Sequence, residues 1–460
     1  MRETGLSEAL RRIEMAGMPE LFARAFTRQY EQASARETGH ILEADIDPLS
    51  GVPTLDEVRA DHAPTGAMER IVVLRLNGGL GTTMGMQGVK TALPVKDGLT
   101  FLDVMARQVL AARACHGVDL PLLLMNTART RPETLAALSA YPDLEVDGLP
   151  LDFLQHREPK LTADTLDPVD WPADPDLAWC PPGHGDAYVA LQTAGLLDAL
   201  RDRGFRYLFI SNADNLGAVV DPAIPEWMAR EGLPYVAEVC DRTHNDRKGG
   251  HLARRLADGQ LVLRDNAQVR PEDTEHFQDV RRHRYFHTNN VWIDLDALAS
   301  LLAEHDGLLP LPLIVNHKTV DPTRRDSTRV VQLESAVGSA VSVVPGAAAL
   351  LVPRSRFRPV KSTNELLLLR SDLYALDDEF RIVATTERPE PRVALGEEFR
   401  LVADFERRFA HGVPSLRRAD SLEVSGDVTF GADVACVGDV IVNAEHSCHI
   451  EDGTVLGGSR

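Results

Sequence analysis

Several stretches of this chain combine residue types and spacings that could handle a phosphate-bearing ligand. Residues 76 to 90 read Leu-Asn-Gly-Gly-Leu-Gly-Thr-Thr-Met-Gly-Met-Gln-Gly-Val-Lys, with Gly78, Gly79, Gly81, Gly85 and Gly88 inside eleven positions and Lys90 at the end. Glycine lets backbone approach an anion closely, and a lysine ammonium adds a compact positive charge. Downstream stand Pro181-Pro182-Gly183-His184-Gly185-Asp186, Ser211-Asn212-Ala213-Asp214-Asn215-Leu216-Gly217, Lys248-Gly249-Gly250, Thr288-Asn289-Asn290 and Arg354-Ser355-Arg356-Phe357-Arg358-Pro359-Val360-Lys361. Taken singly, each has a plainer explanation. The glycines could serve a tight turn, His184 could sit exposed in a Pro-Gly turn, Asp214 could cap a helix, and the basic cluster could be a solvated face.

Spacing narrows the chemistry of the glycine loop. A P-loop needs Gly-Lys-Ser/Thr contiguous, whereas Val89 separates Gly88 from Lys90. A dinucleotide fingerprint needs a glycine three after Gly81, where Met84 stands, and an acid ending the next strand, where Met125-Asn126-Thr127 stands. What remains is a loop that brings backbone against a nucleotide while Lys90 faces its phosphates.

Composition sets the wider bounds. The chain has 460 residues, 44% hydrophobic and 26% charged, enough for about three domains at roughly 150 residues each. Its net charge of −20 would repel a nucleic-acid backbone, so an anionic ligand must be held locally. Only six of its 49 basic residues are lysines, which draws attention to Lys90 and Lys361. Five scattered cysteines without a CxxC pair argue against a disulfide framework or a zinc site and predict a reducing cytoplasm. The opening segment has no uninterrupted apolar core, so no signal peptide is expected, and no apolar run approaches the ~18 residues of a membrane span.

The elements that must position these residues follow from periodicity. Residues 1–65 read as a polar helical extension, with Leu21, Phe22 and Phe26 on one face. From Ile71 the pattern alternates: strand 71–76, helix from Phe101, strand 120–125, helix near 131–140, strand 151–155, then strands 207–210 and 235–239. Such alternation predicts an α/β, doubly wound, largely parallel sheet with ligands at the strands' carboxyl ends. In the tail, Leu422, Val428, Val434 and Val440 fall six apart, and Ile450 and Leu456 resume that spacing after a break at 443–449. A period of six suggests a parallel β-helix, the alternative being ordinary hairpins, and its exposed edge makes self-association an expectation.

Set in order, the six motifs resemble those of the eukaryotic-type UTP:glucose-1-phosphate uridylyltransferases, also called UDP-glucose pyrophosphorylases, over residues 65 to 375. The resemblance implies a Rossmann-like nucleotidyltransferase domain over 66–375, a left-handed β-helix over 376–460, and a Mg²⁺-assisted uridylyl transfer from UTP to glucose 1-phosphate. It places Leu76, Asn77, Gly78, Gly79, Gln155 and Gly183 on the uridine nucleotide and Lys90 on the UTP phosphates. Asp214 would also lie at the nucleotide and hold Mg²⁺. His184, Asn212, Glu238, Gly250, Asn289 and Asn290 would line the sugar-phosphate side, and Lys361, with Lys90, would be catalytic, bridging the two reacting phosphates.

The departures are few. Met86-Gln87 and Val89 replace Cys-Lys and Pro, and His287 stands where the family pattern Phe-Asn-Thr-Asn-Asn has its first Asn. Thr83 occupies the arginine position of the Gly-Thr-Arg loop of UDP-N-acetylhexosamine pyrophosphorylases, which favours the glucose enzyme. A broad-specificity UDP-sugar pyrophosphorylase and a non-catalytic nucleotide-sugar-binding protein are the other readings. The joint presence of Lys90, Asp214 and Lys361 speaks against loss of catalysis.

Overall fold

The computed structural model describes residues 5–35, 39–61, 63–86 and 88–457, the side chain of Asn245 apart. Gln87, one of the departures in the glycine loop, lies outside the described residues. A ten-stranded sheet contains β1 (Ile46–Pro48), β2 (Ile71–Asn77), β3 (Leu122–Asn126), β4 (Asp152–Leu154), β5 (Tyr207–Asn212), β6 (Tyr235–Asp241), β7 (His251–Arg255), β8 (Leu261–Arg264), β9 (Tyr285–Asp294) and β10 (Ala348–Leu351). Its path runs β1-β7-β9-β5-β2-β3-β4, with β6 pairing β9 and β10, and β8 pairing β7.

The central strand shows why the sheet is covered on both faces. Every residue of β2 is buried. Ile71 and Val73 pack with Phe101, Met105 and Val109 of the helix Phe101–His116 on one side. Val72, Leu74 and Leu76 pack with Ala187, Tyr188 and Leu191 of the helix Ala187–Thr193 on the other. Alternate side chains thus enter two separate apolar layers, each large aliphatic burial contributing about 1.5–3 kcal/mol. Thr100 caps the first of these helices and makes a capping box with Asp103; Gly117, in the left-handed region, ends it.

One expectation needs correcting. β5, β2, β3 and β4 run parallel, as does the β6–β10 pair, but β9 runs antiparallel to both β5 and β6, and β7 runs antiparallel to β1, β8 and β9. The sheet is therefore mixed, with a parallel-rich half that carries the glycine loop. Apolar periodicity marks a strand without giving its direction.

The first residues form α1 (Gly5–Met15) and α2 (Glu20–Ser34), whose Ile13, Phe22 and Phe26 pack against Leu161, Val331 and Leu333. The Phe22 ring stacks on His156 at 4.6 Å, beside Gln155. At the other end, strands Arg392–Leu395, Ser415–Ser425, Ala435–Asn443 and Val455–Gly457 pair in parallel, and Val428–Phe430 pairs in parallel with Cys448–Ile450. The residues spaced six apart, Leu422, Val428, Val434 and Val440, are all buried. They share one apolar cluster with Phe399, Phe405 and the Phe101 helix, so the tail is packed onto the body. All five cysteines are free. Among the described residues, no helix is long and apolar enough to cross a membrane.

Candidate active site

The carboxyl ends of β2, β4 and β5 open into a cleft of ≈ 1440 Å³. Leu76, Asn77, Gly78, Gly79, Lys90, Gln155, Gly183, His184, Asn212 and Asp214 all line it. The parallel half of the sheet explains this convergence, since every parallel strand ends at the same edge.

The glycine loop is held from beneath. Asn77 is buried, and its amide donates to Asn126 Oδ1 at 2.8 Å and Thr134 Oγ1 at 2.9 Å, while its Oδ1 accepts from Thr91 at 2.8 Å. Its side chain is thereby spent on shaping the loop, which leaves backbone to face a ligand. The Lys90 N–H donates to the Gly79 carbonyl at 3.0 Å, closing the loop on itself. Lys90 Nζ then reaches Asp214 Oδ2 at 2.6 Å, both side chains largely buried. Asp214 lies in the turn after β5, with no helix following, so it caps none. This ammonium–carboxylate pair at the strand ends is the charged centre of the cleft.

Gln155 bridges two walls. Its Nε2 donates to the Gly183 carbonyl at 2.7 Å, and its Oε1 lies so near Gly78 that an added Cβ there would come within 3.2 Å of it. Gly183 has φ +77°, and a Cβ on it would collide with the Ser335 backbone. Gly183→Ala is therefore expected to destabilise the fold by about 2 kcal/mol or more, whereas Gly79→Ala, with nothing within 4 Å, should leave stability unchanged. Urea unfolding of the two variants checks this, and an equal loss in both would refute the close-packing account.

His184 accepts the Val337 N–H on Nδ1 at 2.9 Å, so its ring proton sits on Nε2. Burial pushes its pKa down to about 4, so at neutral pH it is an uncharged donor. His287, at the position where the family pattern differs, accepts the Asn289 N–H on Nδ1 at 3.1 Å. Burial, with His184 nearby, pushes its pKa down to about 3. An unfolded histidine takes up its proton near pH 6.5, so the unfolded state binds more protons below that pH, and stability falls as pH drops toward about 3. His287→Asn should remove about 3 kcal/mol of the stability lost between pH 7 and pH 4. Chemical unfolding at both pH values measures it, and an unchanged acid limb would show that His287 is not responsible.

The remaining candidates do not line the cleft. Asn289 adopts a left-handed φ of +62° and donates to Asn212 Oδ1 at 2.9 Å, connecting it to a residue that does. Asn290 bonds Glu238 and the Arg356 carbonyl, at 3.0 and 3.2 Å. Glu238 is fully buried among Arg356, Trp292 and Asn290. The Gly250 carbonyl accepts the His287 N–H at 3.0 Å, a backbone role. Thr83 is exposed in a short turn outside the lining. Lys361 is exposed and, among the described residues, unpaired, one residue beyond Val360, whose N–H points to the Asp214 carbonyl at 3.4 Å.

The sequence reading missed the support of this site. Ser335, against which Gly183 and Gly185 turn, carries no motif signal, and Gly185 N–H donates to its carbonyl at 2.8 Å. Arg356 was legible only as a member of a basic cluster, although it is buried.

Comparison with known proteins accords with this geometry. A family model described as UTP–glucose-1-phosphate uridylyltransferase matches residues 20–436. A UTP–glucose-1-phosphate uridylyltransferase of Solanum tuberosum is 40% identical over 395 residues, 85% of this chain and 80% of that one. The protein of the same description in Saccharomyces cerevisiae is 39% identical over 393 residues, 85% of this chain and 77% of its own. Among solved structures, the UDP-glucose phosphorylase of Trypanosoma brucei superposes with a TM-score of 0.92 at 41% identity, covering 99% of this chain and 98% of that one. A mutant UDP-glucose pyrophosphorylase of Leishmania major in complex with UDP-glucose superposes with a TM-score of 0.93 at 39% identity, covering 100% and 99%. With its glycine loop, Lys90–Asp214 pair and His184 turn on one cleft, this chain belongs to the UTP–glucose-1-phosphate uridylyltransferase family of nucleotidyltransferases.

Proposed function

We propose that the chain transfers the uridylyl group of UTP to glucose 1-phosphate, giving UDP-glucose and pyrophosphate. The observation that carries this reading is the convergence of the glycine loop, Gln155, His184 and the Lys90–Asp214 pair on one cleft. An oxygen of the sugar phosphate attacks the α-phosphorus in line as the bond to the bridging oxygen of the β-phosphate breaks, so no covalent enzyme intermediate is needed. Both reactants are anions, and the barrier falls through positioning and neutralisation of charge.

Each residue's part follows from its setting. The backbone of Leu76 to Gly79 holds the nucleotide, and Gln155 suits the uracil edge because an amide can donate and accept together. Lys90 faces the UTP phosphates. His184 offers an uncharged Nε2–H to the sugar phosphate, with Asn212 beside it, and Lys361 meets the charge that develops between the two phosphates. Asp214 would hold Mg²⁺. Among the described residues there is no group of three or more His, Cys, Asp or Glu side chains placed to hold a metal, and a lone carboxylate fits an ion completed by phosphates and waters. When bound, Mg²⁺ neutralises phosphate charge and aligns the oxygens.

Pyrophosphate release from UTP, measured with a panel of sugar 1-phosphates with and without Mg²⁺, tests the reading. Turnover confined to glucose 1-phosphate supports it, turnover with many sugars favours a broad-specificity enzyme, and none with any sugar sinks every enzymatic reading.

The segment ends near 65 and 375 are proposed as the bounds of the nucleotidyltransferase body, supported by the opening of β2 at Ile71 and the helix Thr363–Arg370 after Lys361. The tail is proposed as a short parallel β-helix. Its support is register: Leu422 pairs with Val440, eighteen residues on, whereas Val428 pairs with Cys448, twenty on, the excess falling in the 443–449 break. Self-association through this tail is supported by Ile441 and Val455, 72% and 57% exposed. A cytoplasmic location is supported by the five free thiols.

A further inference from the structure

Glu238 and Arg356, neither of which lines the cleft, pair in a way that neither a sugar contact nor a solvated basic face explains. Both are buried, at 0% and 4% exposure. Arg356 Nε donates to Glu238 Oε2 at 2.8 Å and its terminal nitrogen to Oε1 at 2.6 Å, a two-point fork. Trp292 Nε1 donates to Oε1 at 2.9 Å and Asn290 Nδ2 to Oε2 at 3.0 Å. A carboxylate offers about four lone-pair sites, and these four donors fill them. No acceptor is left for a sugar hydroxyl.

The pair's other end leads to Lys361. The Arg356 carbonyl accepts from Asn215 Nδ2 at 3.0 Å and Asn290 Nδ2 at 3.2 Å. The Arg358 N–H donates to Asn215 Oδ1 at 2.8 Å, Pro359 bridges Asn215, and the Val360 N–H points to the Asp214 carbonyl. The stretch from Arg356 to Val360 is thus stitched to the two residues that present the Asp214 carboxylate. Lys361 follows directly, exposed and, among the described residues, with no side-chain partner of its own. Its position is set by the backbone behind it, and that backbone is anchored at its far end by Arg356.

We infer that the buried Glu238–Arg356 pair is a positioning clamp that holds Lys361 in register with Asp214. A buried ion pair adds little net stability over an apolar pair of similar size, but its fork fixes one geometry, and a compact lysine ammonium could not reproduce it. Lys361 sits on a loop and needs such an anchor, because a displacement of about 1 Å can cost about 100-fold in rate. The inference deepens the proposed function and rests on Lys361 being catalytic there.

The test compares Lys361→Ala, the paired variant Glu238→Gln/Arg356→Met, and the triple variant combining them. Changing both partners avoids stranding one buried charge. With thermal midpoints confirming a folded protein, the paired variant should lower kcat about 10- to 100-fold while leaving the KM for glucose 1-phosphate nearly unchanged. The triple variant should be no slower than Lys361→Ala. Backbone hydrogen exchange over 356–361 should rise in the paired variant and not in Lys361→Ala. A raised KM with kcat intact would make Glu238 a sugar contact and overturn the clamp. Multiplying losses in the triple variant, or unchanged exchange over 356–361, would overturn it as well. Near-normal turnover of Lys361→Ala alone would remove the catalytic lysine and the clamp with it, and is read from that single variant.

Discussion

Replacing Lys361 with alanine is expected to cut turnover about 10²- to 10³-fold, equivalent to about 3–4 kcal/mol of lost transition-state stabilisation, with no change in thermal midpoint. The side chain is exposed and, among the described residues, has no hydrogen-bond or ion-pair partner, so the folded state has no such bond to lose. In the proposed role its charge would matter only when two phosphates are brought together and negative charge shifts between them. Arginine should not rescue it, since a planar guanidinium hydrates and reaches differently from a point ammonium. Steady-state rates of both variants, with circular dichroism and melting as controls, decide the matter. Near-normal turnover in either would take Lys361 out of the mechanism.

Asp214→Asn is expected to be as severe, at about 10³-fold in turnover, and to move the Mg²⁺ concentration at half activity upward. The carboxylate pairs with Lys90 at 2.6 Å, which asparagine cannot neutralise, and in the proposed role it would offer Mg²⁺ an anionic oxygen, which asparagine would replace with a weaker neutral one. Stability should fall by about 1–3 kcal/mol, because the pair retains only 15% and 20% side-chain exposure and loss of the carboxylate leaves the Lys90 ammonium without its partner. Rates measured across a Mg²⁺ titration separate the two roles. A slowed enzyme whose Mg²⁺ response is unchanged would leave Asp214 as the partner of Lys90 alone.

Much of this site was legible in order along the chain, because the ligand-facing groups sit immediately after strands whose apolar runs announce them. β2 precedes the glycine loop, β4 precedes Gln155, and β5 precedes Asn212 and Asp214. Glycine, lysine and aspartate at such strand ends have a chemical meaning that spacing can test, as Val89 and Met84 showed for the rival loops. In the tail, a period of six located the buried Leu422, Val428, Val434 and Val440 with no knowledge of their partners.

The sugar side was harder to read. Glu238, in the middle of β6, has the composition of a hydroxyl-binding residue, and only the fold brings Arg356 from one distant segment and Trp292 and Asn290 from another around it. Arg356 lies among residues that read as a solvated basic face, yet it is buried because an acid 118 positions away neutralises it. Likewise, the strand Tyr285–Asp294 runs antiparallel to both β5 and β6, a direction that apolar periodicity does not encode.

The amino-acid sequence by itself determined the alternating α/β framework, the glycine loop ending in Lys90, the strand-end Asp214, the His184 turn and the family likeness, since each of these depends on residue type and local spacing. Only the tertiary structure decided that Asp214 pairs with Lys90, that His184 is held neutral, and that Glu238 is spent on Arg356. Charge pairing and desolvation are set by which distant segments meet, and that meeting has no local signature.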